Sequence, residues 1–141
     1  MFAYIRAIYN RLVATIAIVY NVYPRSATTV SAAAVTMTAT ATAWVYGSYA
    51  QIVAATAASC QFMGFTLENF TGAASQGEVQ IATGGAGSEV VFGTWQVTVP
   101  EGIILTGLNI PVGTRIAARY RTSTGAADTV DIKVNVLEGG N

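Results

Sequence analysis

The sequence predicts an all-β fold: an eight-stranded sandwich whose main domain spans residues 44–141, preceded by an N-terminal α-helix over 1–24 and an extended Ala/Thr-rich arm over 25–43. Three observations carry this. From Trp44 onward, β-branched and aromatic runs alternate with turn signals at roughly ten-residue spacing. The arm alternates at period two, which is a strand signal. Met1–Tyr23 contains neither Gly nor Pro, and Pro24 then supplies a stop, because proline lacks a donor and biases the residue before it away from helix.

In the N-terminal segment, Met1, Ile5, Ile8, Leu12, Val19 and Val22 recur at heptad spacing, with Thr15 filling the gap. A second stripe, Phe2, Tyr9, Ile16 and Tyr23, lies beside it. A face this wide suits three or more helices, or a helix laid on another surface, so Ile5, Ile8, Leu12, Ile16 and Val19 are expected to form an oligomerisation or docking face. Arg6, Asn10, Arg11 and Asn21 interrupt the run too often for a membrane span, which needs about twenty apolar residues. A cleaved signal peptide is the competing expectation, with Arg6 and Arg11 before an apolar Leu12–Tyr20 and small residues at Ser31–Ala34.

The stretch 25–34 is small and polar, as in a flexible connection. Beyond it, Val35, Met37, Ala39, Ala41 and Ala43 alternate with Thr36, Thr38, Thr40 and Thr42. The alanine side is too small to fill much of a core, so an edge or exchanged strand is expected; disorder is the alternative for such a composition.

Seven further runs follow: Tyr49–Ala55, Gln61–Phe70, Gly77–Thr83, Glu89–Val99, Ile103–Leu108, Thr114–Thr122 and Thr129–Leu137. With Val35–Ala43 they make eight, the number in a jelly roll. Parity assigns their faces. Val130, Ile132, Val134 and Val136 point one way while Asp131, Lys133 and Asn135 point the other, as in a sheet covered on one side. Ile116, Ala118 and Tyr120 likewise oppose Arg115, Arg119 and Arg121. Gly84–Gly87 and Val112–Gly113 read as turns, and Gly125–Asp128 as the turn of a last hairpin.

Composition sets limits on function. Only 10% of the residues are charged and 52% are hydrophobic, so an isolated copy has fewer charges than a soluble surface normally carries. Some apolar surface is therefore expected to meet other subunits. The net charge is zero, which gives no steering toward nucleic acid. Arg6, Arg11 and Arg25 stand without acids in the first 67 residues, whereas the remainder is acidic on balance; such opposite halves suit layered contacts. Histidine is absent, removing the commonest general base and metal ligand. The single Cys60 forms no intrachain framework and reads as a buried small hydrophobe.

No catalytic set assembles from these residues, and no cofactor or metal is expected. Gly84–Gly87 precedes Ser88-Glu89-Val90, a strand rather than the helix N-terminus a phosphate cradle needs. Two of the acids Glu68, Glu78, Glu89, Glu101, Asp128, Asp131 and Glu138 could meet in space as a carboxylate pair for glycoside hydrolysis, but their scatter argues for solvated faces. Arg115, Arg119 and Arg121 have two readings: an ordinary solvated face paired with Asp128 or Asp131, or a partner-contact face in which planar guanidiniums meet carboxylates and aromatics. In the second, Ala117 leaves room for a partner and Trp44, Tyr46 and Tyr49 are the aromatic complement. Those rings could equally serve as a sugar platform.

The stretches IPVGTRIAARYRTSTGAADTVDIKV (Ile110–Val134), IATGGAGSEVVF (Ile81–Phe92) and YGSYAQIVAATA (Tyr46–Ala57) resemble a jelly-roll domain of tailed-bacteriophage virions, in capsid decoration (cement) proteins and in domains attached to head or tail fibres. The shared features are a Pro-x-Gly-Thr turn into an Arg-bearing strand and a Gly-Ala-Ala-Asp turn; the N-terminal helix has no counterpart. The resemblance implies a homotrimer or other symmetric homo-oligomer on the outer face of a capsid, bridging major capsid protein subunits, made in the host cytoplasm and requiring neither nucleic acid nor membrane. A fibre- or tail-associated adhesin binding a surface glycan is the alternative, and a secreted binding module is the third.

Overall fold

A computed structural model describes residues 19–23, 34–72, 76–98 and 101–138 of the chain. Among the described residues lie nine strands and no helix: β1 (Val19–Tyr23), β2 (Val35–Thr38), β3 (Ala50–Val53), β4 (Cys60–Glu68), β5 (Gly77–Thr83), β6 (Val90–Val97), β7 (Glu101–Ile110), β8 (Ile116–Thr122) and β9 (Thr129–Glu138). All pairings are antiparallel. Each of the eight runs expected from the sequence overlaps one of these strands, and Gly77–Thr83 has the expected bounds.

The ninth strand corrects the sequence expectation. Val19, assigned above to a helical docking face, opens β1, whose five residues pair with β9 from Val19↔Glu138 to Tyr23↔Val134. Val-Tyr-Asn-Val-Tyr is β-branched and aromatic, a composition that favours strand, and it is apolar on both parities, so period alone does not separate helix from strand there. The β9 edge decides it, because its N–H and C=O groups need partners. Ile5, Ile8, Leu12 and Ile16 lie outside the described residues.

The strands form two sheets. One has the order β1-β9-β4-β7, with β2 also on β9; the other is β3-β8-β5-β6. The pairs are nested: β5 with β6, β4 with β7, β3 with β8 and β2 with β9. The chain is thus a long hairpin folded over on itself, and the β4–β9 and β5–β8 pairs complete the sheets. Strands β8 and β9 fall in different sheets, so Gly125–Asp128 joins the sheets and is not the hairpin turn expected.

The core lies between the sheets. Val130, Ile132, Val134 and Val136 of β9 are fully buried, as are Met63 and Leu67 of β4, Val79 and Ile81 of β5 and Ile116 and Ala118 of β8, all in one cluster. Fully burying each large aliphatic chain among them contributes about 1.5–3 kcal/mol. Edge-to-face rings bridge the sheets, with Phe65 and Trp95 at 5.2 Å and Phe70 and Tyr120 at 6.3 Å between centroids. The arm contributes more than its alanines suggested: Met37 is fully buried beside Ala39, while Thr36 and Thr38 face out. Its strand ends at Thr38 instead of reaching Ala43. The Thr40 hydroxyl donates to the Thr42 and Val45 carbonyls, a local bond that competes with a ladder.

Candidate functional site

The outer face of the β3-β8-β5-β6 sheet gathers the polar residues singled out in the sequence. Register pairs Arg121 of β8 with Glu78 of β5, Arg119 with Gln80, and Ala117 with Ala82. Directly opposed side chains of this kind are the unit of sheet stabilisation. The segment before β3 then runs alongside β8: the Trp44 N–H donates to the Thr122 carbonyl at 2.8 Å and the Gly47 N–H to the Tyr120 carbonyl at 3.0 Å. A side chain at Gly47 is impossible, since a Cβ there would sit 1.8 Å from the Thr38 carbonyl oxygen.

This alongside run lays three rings over two guanidiniums. Arg121 Cζ lies 5.5 Å from the Trp44 ring centroid and 4.4 Å from that of Tyr46, and Arg119 Cζ lies 4.4 Å from Tyr46 and 4.5 Å from Tyr49. The result is an interleaved stack, Trp44–Arg121–Tyr46–Arg119–Tyr49, in which Tyr46 lies between two cations. Each such contact contributes about 0.5–1 kcal/mol where exposed and more where desolvated.

Hydrogen bonds fix the stack from beneath. Arg121 Nη2 reaches Glu78 Oε1 at 2.7 Å, and the Tyr46 hydroxyl donates to the same oxygen. Arg119 donates through Nε and Nη2 to Gln80 Oε1 at 2.9 and 2.7 Å. Arg121 Nη1 donates to the Trp44 carbonyl at 3.1 Å, whereas Arg121 Nε is buried with no hydrogen-bond partner. Burial raises the Tyr46 pKa well above that of an ordinary phenol. The bond to Glu78 and that group's charge add to the rise, and the two guanidiniums only partly oppose it. Tyr46 is therefore a neutral donor at any physiological pH. Two cations against one carboxylate leave the stack net positive.

Trp44 itself is held at φ 60°, a left-handed conformation that costs a bulky residue about 1–2 kcal/mol. Its backbone bonds on both sides hold that turn, and the residue is left 41% exposed. Tyr46 and Tyr49 are half-buried.

Five of the six residues expected on a contact face are thus brought together; Arg115 stands apart. It pins the β5–β6 turn at the other end of β8, donating through Nη1 to Glu89 at 3.0 Å and to the Gly84 carbonyl at 3.1 Å, and through Nε to Gln51 at 3.1 Å. Glu89's own backbone N–H, then Arg115 and the Gly87 N–H, lower the Glu89 pKa. The counter-ions are therefore Glu78 and Glu89, not Asp128 or Asp131. Asp128 is buried near Tyr120, and Asp131 sits on the other sheet, accepting from Thr36 and Asn69. Ala117 offers no approach for a partner, since it and Ala82 are both fully buried. Glu78 and Gln80 were missed as site residues. Their shared parity on β5 was legible, but the adjacency of β5 to β8 was not.

Beside Tyr49 lies a shallow hollow of about 400 Å³ whose lining includes Thr36, Thr38, Thr40, Ser48 and Gly47. Among the described residues no group of three or more His, Cys, Asp or Glu is placed to hold a metal ion, and no helix is long and apolar enough to cross a membrane. No protein-family model matches the chain, and no curated protein matches it.

Proposed function

We propose that the chain is a structural assembly subunit with a jelly-roll fold, acting as a virion decoration or cement protein that bridges major capsid subunits as a homotrimer or other symmetric oligomer. The nested pairing and the sheet orders β2-β9-β4-β7 and β3-β8-β5-β6 support the fold, because eight strands in two Greek keys make a jelly roll. Fold alone does not give function. The observation that carries the assembly role is the Trp44–Arg121–Tyr46–Arg119–Tyr49 stack. Its residue types are those enriched at interfaces, and the rings and guanidiniums already hold one another in place, so docking costs little further side-chain entropy. The exposed Val90, Ile104 and Val112 add apolar surface of the kind the low charge content implies. The virion setting rests on the resemblance of the turn and strand motifs.

In this role many identical contacts, each modest, add across a shell, and the mechanism uses no cofactor, nucleic acid or membrane. The protein is made in the host cytoplasm and works on the capsid surface. Quantitative mass spectrometry of purified particles tests this. A cement protein stands in a fixed ratio of order one to the major capsid protein, whereas a component present at fibre or tail levels sinks the proposal.

The hollow beside Tyr49 favours a second role, a fibre-associated adhesin, because hydroxyl side chains next to a ring suit a sugar. Against a broad sugar platform stands the stack itself, in which Tyr46 is taken up by two arginines. A glycan array read with wild type and Tyr49→Ala separates the two roles.

A further inference from the structure

We propose that β1 is an exchanged strand: residues 19–23 of one copy add to the β9 edge, at residues 134–138, of a second copy of this chain. This deepens the assembly role and rests on it for its setting.

The observation is a redundancy along one edge. Strand β4 covers one edge of β9, and β1 and β2 share the other, both antiparallel to it. Tyr23, the last residue of β1, is opposite Val134, and Val35, the first of β2, is opposite Ile132, so Lys133 alone separates their partners on β9. Two residues of strand span about 7 Å. The chain nevertheless places residues 24–34 between the two segments, a length that reaches about 40 Å when extended. A connection that long is unnecessary for one copy to fill both halves of its own edge, and it is long enough to reach a neighbour's.

The two segments also differ in how they are held. Strand β2 touches β8 and β3 as well as β9 and buries Met37, whereas the main neighbour of β1 among the described strands is β9. Strand β2 is thus built into its own sandwich, and β1 is held chiefly through its ladder to β9. Exchange conserves that ladder, since the same five register pairs form between copies as within one. An edge whose own β1 has left exposes unpaired N–H and C=O groups and is filled again by the next copy. Repeated around a symmetry axis this closes a ring, and done reciprocally it makes a dimer.

The test uses the register pair Val22↔Asn135. Full-length chains carrying Cys60→Ala with Val22→Cys are co-expressed with chains carrying Cys60→Ala with Asn135→Cys, and then oxidised. Directly opposed strand positions fall within disulfide reach, and in this mixture only exchange brings the two cysteines together. The expected result is a disulfide-linked dimer on a non-reducing gel, with no such band when Thr129→Cys replaces Asn135→Cys. The double variant Val22→Cys/Asn135→Cys in one chain should give cross-linked oligomers. The inference is overturned if the mixed chains stay unlinked while the double variant closes within a single chain. Light scattering on the same samples separates the two failures. An oligomer without cross-links sinks exchange and leaves the assembly role standing, whereas a monomer at every concentration counts against both.

Discussion

Replacing Glu78 with glutamine removes the one negative charge of the arginine stack while leaving its shape and one acceptor oxygen. In the wild type, Glu78 Oε1 holds Arg121 Nη2 at 2.7 Å and receives the Tyr46 hydroxyl. A fully exposed pair contributes about 0–1 kcal/mol, whereas breaking a buried one costs about 3–5 kcal/mol. The side chains here are 12% exposed for Glu78 and 28% for Arg121, which lies between those limits. Discounted for solvent, the expected loss is about 2 kcal/mol. With an unfolding entropy of about 2.1 cal/mol/K per residue, a chain of 141 residues should lose about 7 °C in Tm. Urea unfolding of Glu78→Gln, Arg121→Met and the double variant gives the coupling directly, and about 1–2 kcal/mol is expected. A loss under about 0.5 kcal/mol, or strictly additive single effects, would refute the view that the stack is a preorganised unit.

Three further outcomes follow from the same geometry. Burial and the charge of Asp128 push Tyr120 up to about 12. The unfolded chain loses that proton near pH 10, so stability is full below pH 10 and falls as pH rises through about 12, by up to about 3 kcal/mol; Tyr120→Phe should flatten that part of the alkaline limb, and equal slopes would contradict the assignment. Gly77→Ala puts a Cβ 2.6 Å from the Tyr120 ring and hydroxyl, whereas Gly87→Ala meets nothing within 4 Å and carries only its φ of 83°. Unfolding midpoints should show a loss of about 2–3 kcal/mol for the first and about 1 kcal/mol for the second, and the reverse order would refute the packing argument. Asp131 is held below its ordinary value first by the Thr36 hydroxyl, which donates at 2.6 Å, and then by Asn69. Its contribution is present above the unfolded carboxylate range and lost as pH falls through the lowered value, so Thr36→Ala should raise the Asp131 pKa in an NMR titration and weaken the acid dependence of stability.

Parity was the most readable feature of this chain. The inner row Val130, Ile132, Val134 and Val136 and the outward arginines of β8 follow from period two, because each strand has one covered face. Glycines at 77 and 84 bracket β5, which is why its ends matched. Long-range pairing was not readable. Nothing local to Arg121 identifies Glu78, which becomes its neighbour only when β5 and β8 pair, and nothing in Gly125–Asp128 distinguishes a hairpin turn from a crossover between sheets. Val19–Tyr23 was misread because its apolar residues satisfy both periods and the deciding partner, β9, lies at the far end of the sequence. The left-handed Trp44 was equally hidden, since that conformation normally belongs to Gly or Asn and here depends on bonds to Thr122 and Arg121.

The most direct test of the assembly role is the thermal stability of the shell itself, measured by release of the packaged genome from particles made without this chain and from the same particles after purified chain is added back. Release at a lower temperature from the deficient particles, restored by the wild type and restored less by a variant lacking the stack (Trp44→Ala/Arg119→Ala), is the predicted result. Identical release temperatures with and without the chain would contradict it.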